Sequence, residues 1–286
     1  MKFTSPKAND KFTISSVPEW PSIAFETDAS GLHEWHWTIT WKHFKKTGIA
    51  RTVGNKWDAK DDITNMGGVL TVKAQAEEAP KGGKAGKPVK VSATISVKII
   101  GTNPSNTEAN AYLATKADSK GFDKILEQEA KFKNFKNDEP IKSFDNGYGM
   151  CQLTTPTPKF EQVWNWKMNI DGGLALFAQK RASALAYLSQ GGRSYTADQL
   201  AYEAVCRWNG GSYHVWDAKA AAWVRNSTIM CDTKAGNMGW DMTNAANKGK
   251  TEEELHKRDS GTYNAAPAAD ANWKYSGICY ADHILG

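Results

Sequence analysis

Near Pro104 the hydrophobic period of the chain changes from two to between three and four, and that switch limits the fold more than any other feature. Before it, Trp35-His36-Trp37-Thr38-Ile39-Thr40-Trp41 alternates as a half-buried strand does. Val69-Leu70-Thr71-Val72-Lys73-Ala74 follows a Gly pair, and residues 89–100 form a second long alternating run. The Pro, Gly and Lys-rich stretch between them, 79–88, reads as a flexible basic hairpin loop. Short strands with turn signals and no helical stretch suggest a small β-sandwich of immunoglobulin-like type. Gly101-Thr102-Asn103-Pro104-Ser105 ends the strands, and Ser105 or Asn106 can cap a helix. Beyond it, Phe122, Ile125, Leu126, Glu129, Phe132 and Lys133 recur at helical steps, and 174–188 and 199–206 read as further helices. The tail after Asp232 reads as irregular until an aromatic cluster at 273–280. The expected class is therefore α+β in two domains: a β-sandwich accessory domain at 1–103 and a mainly α-helical domain at 104–286.

Charge and cysteine usage narrow the function classes. The first 105 residues hold 15 Lys and Arg against 10 Asp and Glu, whereas the remainder is balanced. Such a bias favours polyanions in general, but no nucleic-acid motif accompanies it, so nucleic acid is not an expected partner. No run approaches the length of a membrane span. The polar stretch 1–11 lacks the apolar segment of a secretory signal, which predicts delivery by a non-classical route or a fragment of a longer protein. Cys151, Cys206, Cys231 and Cys279 permit two disulfides in three connectivities, or free buried thiols. Without a CxxC pair no metal site is expected. His33, His36 and His43 do not form one either, since 33 and 36 face opposite sides of a strand. The run Glu252-Glu253-Glu254 lacks calcium-loop spacing and reads as a solvated helix face. Twelve Trp suit sugar stacking as well as core packing.

Cleaving a glycosidic bond near neutral pH needs a protonated carboxyl, and an apolar setting supplies one by raising its pKa. Glu129 lies on the apolar-periodic helix, with Ile125 and Leu126 a turn before it and Phe132 a turn after. Downstream, Gly147 and Gly149 in Asp145-Asn146-Gly147-Tyr148-Gly149-Met150-Cys151-Gln152 allow close approach of a ligand to the backbone, and Gln152 offers both donor and acceptor. Asn169-Ile170-Asp171-Gly172-Gly173 then precedes an apolar helix, and Trp208-Asn209-Gly210-Gly211 ends another.

In order and spacing these segments resemble the superfamily of soluble lytic transglycosylases and goose-type lysozymes. Its pattern is Glu-Ser on a helix, then Gly-Leu-Met-Gln, Asn-Ile-x-x-Gly and Tyr-Asn-x-Gly. Here the segments read Glu129-Ala130, Gly149-Met150-Cys151-Gln152, Asn169-Ile170-Asp171-Gly172-Gly173 and Trp208-Asn209-Gly210-Gly211, over residues 122–216. Ala130 replaces the usual Ser and Trp208 the usual Tyr. The resemblance implies a lysozyme-like helical domain and cleavage between N-acetylmuramic acid and N-acetylglucosamine of peptidoglycan glycan strands, with no cofactor, in the periplasm or cell wall. It makes Glu129 the general acid. Tyr148, the Gly149 backbone and Gln152 line the sugar site, Asn169 supports the cleft, and Trp208 and Asn209 form its far wall. Asp145 is the expected second carboxylate for a hydrolysing, lysozyme-type enzyme, with Glu203 a further candidate. Without one, the muramic acid hydroxyl closes an anhydro ring, as in lytic transglycosylases. A non-catalytic wall-binding module on the same scaffold is the remaining alternative. An antibacterial toxin of this kind implies an immunity protein or a secretion-machine component as partner.

Overall fold

The structure, a computed structural model, describes residues 1–78, 88–117, 119, 121–263 and 267–286. It mixes α and β elements in several sheets, with seven α-helices among the described residues. The chain divides into two compact units. The first comprises Met1–Ser119 and Glu129–Gly173, the second Lys120–Gln128 and Leu174–Gly286. The units thus do not divide at the expected boundary at 103, because residues 129–173 join the strands.

In the first unit come β1 (Phe3–Ser5), β2 (Lys11–Ile14), β3 (Ala24–Thr27), β4 (Leu32–Trp41), β5 (Phe44–Val53), β6 (Lys56–Asp58), β7 (Gly68–Glu78) and β8 (Val89–Gly101). A five-stranded sheet runs in the order β2-β8-β7-β4-β5, and a three-stranded one in the order β1-β3-β6. All pairings are antiparallel except β2 with β8. The period-two pattern fixes the register, since a one-residue slip would expose Trp35, Trp37, Ile39 and Trp41. Those four side chains enter a core that also takes Phe25, Trp57, Val72 and Val97. Residues 79–87 of the expected hairpin loop lie outside the described residues.

Next follow α1 (Asn106–Ala114), α2 (Phe122–Ala130), β9 (Phe135–Lys136), β10 (Glu139–Pro140), α3 (Phe160–Trp164) and α4 (Trp166–Leu188). Ser105 caps α1 through a reciprocal box with Glu108. Phe135, Tyr148, Phe160, Val163 and Trp164 pack into the same core as the strands, which is why the first unit extends past α1. Two expectations are corrected here. Helix α2 stops at Ala130, because Lys131 and Phe132 adopt left-handed φ of 51° and 58°; Phe132 is buried but not helical. The Asn169-to-Gly173 segment lies inside α4 rather than before a helix, since Asn165 caps it by accepting from the Lys167 and Met168 amides at 2.9 and 3.2 Å.

The second unit adds α5 (Ala197–Trp208), β11 (His214–Asp217), β12 (Ala222–Arg225), β13 (Ile229–Cys231), β14 (Met238–Asp241), α6 (Glu252–Asp259), β15 (Lys274–Tyr275) and α7 (Gly277–Leu285). Helix α7 lies so close to the end of α5 that a Cβ on Gly277 would stand 2.3 Å from the Cys206 carbonyl oxygen. Among the described residues, the tail expected to be irregular carries strands and helices. Strands β13, β14 and β15 form a sheet, and Trp240, Leu255 and Trp273 make a separate small core. Thr251 and Glu254 box the start of α6, so the acidic run is the first turn of a capped helix. Cys231 and Cys279 form a disulfide, whereas Cys151 and Cys206 are free and buried. Ten of the twelve Trp are buried, which assigns them to cores rather than to sugar platforms. Among the described residues no helix is long and apolar enough to cross a membrane.

Candidate functional site

Between β10 and α3 the chain makes a tight turn, tied by bridges from Tyr148 to Lys142 and to Leu153. At its tip the Ser143 amide donates to the Gly147 carbonyl at 2.9 Å, and the Gly147 amide returns a bond to the Ser143 hydroxyl at 2.8 Å. The next turn, Gly149 to Gln152, is held by two buried asparagines. Asn169 accepts from the Cys151 amide at 2.9 Å and donates to the Tyr148 and Gln162 carbonyls at 3.1 and 3.2 Å. Asn134 accepts from the Met150 amide at 3.2 Å and donates to the Val163 carbonyl at 3.0 Å. Gly149 has φ +71°, and a Cβ there would lie 2.4 Å from Asn169 Nδ2 and 2.5 Å from Asn134 Oδ1. Only glycine fits between the clamps.

Glu129 is half-buried in the last turn of α2 and belongs to the first unit, as this turn does. Burial pushes the Cys151 thiol well above its ordinary pKa, and the negative charge of Glu129 adds to that push. The charge of Glu129 is thus felt at Cys151, 22 positions further along the chain. The Gln152 side-chain Nε2 donates to the Gly149 carbonyl at 2.6 Å, and Gln152 itself has φ +49°. Asp145 is exposed, and its Oδ1 accepts from the Ser143 hydroxyl and, at 3.4 Å, from the Gly147 amide. That is an Asx-turn. Tyr148, expected to line a sugar site, is 1% exposed and packs its ring edge-on to Trp41 and Phe44. It is a core residue.

Glu203, Trp208 and Asn209 belong to the second unit. Glu203 has no exposed surface; it accepts from the Tyr213 and His214 amides at 3.0 Å and from His214 Nδ1 at 3.2 Å, and pairs with Arg207 at 2.8 Å. Burial alone would raise its pKa, but the His214 hydrogen bonds and the Arg207 charge outweigh it and hold the carboxyl below its ordinary value. With Oε2 taking three hydrogen bonds and Oε1 facing Arg207, the carboxylate serves the packing of its own unit. Trp208 closes α5 with its ring edge-on to Phe122 and at an angle to Phe177. Asn209 follows as the exposed C-cap, ahead of Gly210 and Gly211 at φ +93° and +109°.

No family model, curated protein or solved structure matches this chain. What the arrangement can do must therefore be argued from its own groups. Among the described residues no group of three or more His, Cys, Asp or Glu could hold a metal ion. A pocket of about 450 Å³ lies at one end of the five-stranded sheet, and none of the expected site residues lines it. Sequence reasoning missed Asn134, the partner clamp to Asn169, and Asn103, whose side-chain oxygen accepts from the Asn134 and Phe135 amides. Asn134 sits in the charged stretch Lys133-Asn134-Phe135-Lys136-Asn137, where a polar residue carries no signal of burial.

Proposed function

We propose that this protein cleaves the glycan strands of peptidoglycan between N-acetylmuramic acid and N-acetylglucosamine, with Glu129 as the general acid. The observation that carries the reading is that a half-buried Glu129 and the doubly clamped Gly149-to-Gln152 turn belong to one compact unit, with the Glu129 charge among the influences that push up the Cys151 thiol. A half-buried carboxyl is what acid-catalysed sugar cleavage needs, a proton held next to the leaving oxygen, and the clamped turn fixes Gln152 in the same unit. In this reading Gln152 meets the sugar and Asn169 positions the turn that carries it. A lysozyme-like helical region and an immunoglobulin-like arrangement of the N-terminal strands go with it. So do action in the periplasm or cell wall, and an immunity protein or secretion component as partner.

Hydrolysis requires a second carboxylate to activate water, and Asp145 is the candidate. One observation favours the second chemistry, ring closure by the muramic acid hydroxyl: Asp145 Oδ1 is committed to its own turn. Turbidity clearing of purified sacculi tests the main reading. Glu129→Gln is expected to keep wild-type circular dichroism and lose clearing by at least ~100-fold. Full clearing by that variant would overturn it.

A further inference from the structure

The outer face of the five-stranded sheet is open and carries the charge excess seen in the sequence. Strand alternation puts Lys11 of β2, Lys90 and Lys98 of β8, Lys73 of β7, and Lys45 and Arg51 of β5 on it, against the carboxylates of Glu34 and Glu77. None of these residues is buried. Arg51 is paired with Glu34 at 2.8 Å and Lys98 with Glu139 at 3.5 Å. Between the cations, Thr47, Thr38, Thr71 and Ser96 stand in register as a row of hydroxyls across four adjacent strands. Strands lie about 4.8 Å apart, and same-face residues along a strand about 6.8 Å apart, so the face is a regular grid of ammonium and hydroxyl groups. At one end the pocket of about 450 Å³ is lined by Glu34, Arg51, Gln75, Lys90 and Ser92, among others, and its Leu32 and Val53 give it an apolar rim.

We infer that this face binds a linear polyol-phosphate polymer, the chemistry of anionic wall polymers. Charge complementarity selects an anion, because the face's six cations outnumber Glu34, Glu77 and the Glu139 carboxylate beside Lys98 two to one, and Lys90 stands 4.0 Å from Glu77. The hydroxyl row matches a ligand whose charges alternate with polyol hydroxyls. A single-stranded nucleic acid would need stacking rings, and His36 is the face's one aromatic side chain among the described residues. A membrane surface would need a broad apolar protrusion ringed by cations, whereas Ile49 and Val69 stand singly among polar neighbours and Leu32 and Val53 form one exposed pair at the end of the sheet. The inference does not depend on Glu129 or on any cleavage.

The test uses the full chain and purified poly(glycerol phosphate), with intrinsic Trp fluorescence as the readout. Wild type is expected to bind, and to lose at least ~10-fold in affinity between 50 and 300 mM salt, as screening of a charged surface requires. The triple variant Lys11→Thr, Lys73→Thr, Lys98→Thr is expected to bind at least ~10-fold more weakly, while the matching Lys→Arg triple keeps wild-type affinity. A control triple in the second unit, Lys219→Thr, Lys248→Thr, Lys257→Thr, is expected to leave binding unchanged. An undetectable wild-type interaction, equal loss in both Thr triples, or tighter binding to phosphatidylglycerol vesicles or duplex DNA than to the polymer would each overturn the inference. Should the first triple lose its near-ultraviolet dichroism, the single variant Lys73→Thr, expected to bind at least ~2-fold more weakly, carries the same test.

Discussion

Replacing Asn169 is the most informative perturbation of the clamped turn. In Asn169→Ala the Cys151 amide loses its side-chain acceptor in a fully buried position. An orphaned buried donor costs about 1–3 kcal/mol. The Tyr148 carbonyl keeps its bond from the Leu153 amide, so losing the Asn169 donor there costs only the net value of one bond. The Gln162 carbonyl loses a similar contact. At about 0.5–1.5 kcal/mol each, these bring the total to about 2–6 kcal/mol. A domain is stable by about 5–15 kcal/mol, so the change would be large. Urea unfolding followed by Trp fluorescence measures it. Asn169→Asp supplies an internal check, because it keeps the acceptor for Cys151 but turns a carboxylate toward two carbonyl oxygens. Burial and those oxygens would raise that carboxyl's pKa in the fold above its unfolded value of about 3.9. The folded state would then hold more protons, so this variant's stability would be best at low pH and fall as pH rises. Its deficit against wild type should therefore shrink between pH 7 and 4. A loss under about 0.5 kcal/mol in Asn169→Ala, or a pH-independent deficit in Asn169→Asp, would refute the clamp.

Other positions give sharp expectations. Gly149→Ala should cost at least about 2 kcal/mol, from φ +71° strain and the clash with both asparagines, and should broaden the unfolding transition of the first unit. Glu203→Ala should cost about 2–6 kcal/mol by orphaning the buried Tyr213 and His214 amides in the second unit. Because the folded pKa of Glu203 lies below its unfolded value, its contribution is present above the unfolded pKa and is lost as pH falls through the folded one; Glu203→Gln should melt with a flatter acid limb than wild type. Reducing Cys231–Cys279, which closes a 48-residue separation, should destabilise the second unit by about 4 kcal/mol on the chain-entropy view. Cys206, whose thiol burial pushes up to about 12, should resist alkylation until the chain is denatured.

The long strands were legible because one face of each is buried, so the sequence alternates strictly, as β4 does. The start of α1 was legible for a different reason: a capping box is written in four consecutive residues. Strands β14 and β15 were not, since four and two residues carry no period, and they are held by Trp240 and Trp273 across gaps of tens of residues. The division between units was hidden likewise. Phe135, Phe160 and Trp164 read as part of a later helical region, yet they complete the core of the strands. At the site, spacing picked out Glu129, the glycine turn and Asn169, but residue type alone could not separate a ligand-facing ring from a packed one. Tyr148 went into the core, and Glu203 into a buried ion pair, for that reason.

Mass spectrometry of the fragments released from sacculi bears most directly on the central claim. Wild type should release disaccharide peptides with reducing muramic ends, or anhydromuramic ends if the ring closes on itself, and Glu129→Gln should release neither. Intact glycan strands after prolonged incubation with folded wild type, or identical fragments from both proteins, would contradict it.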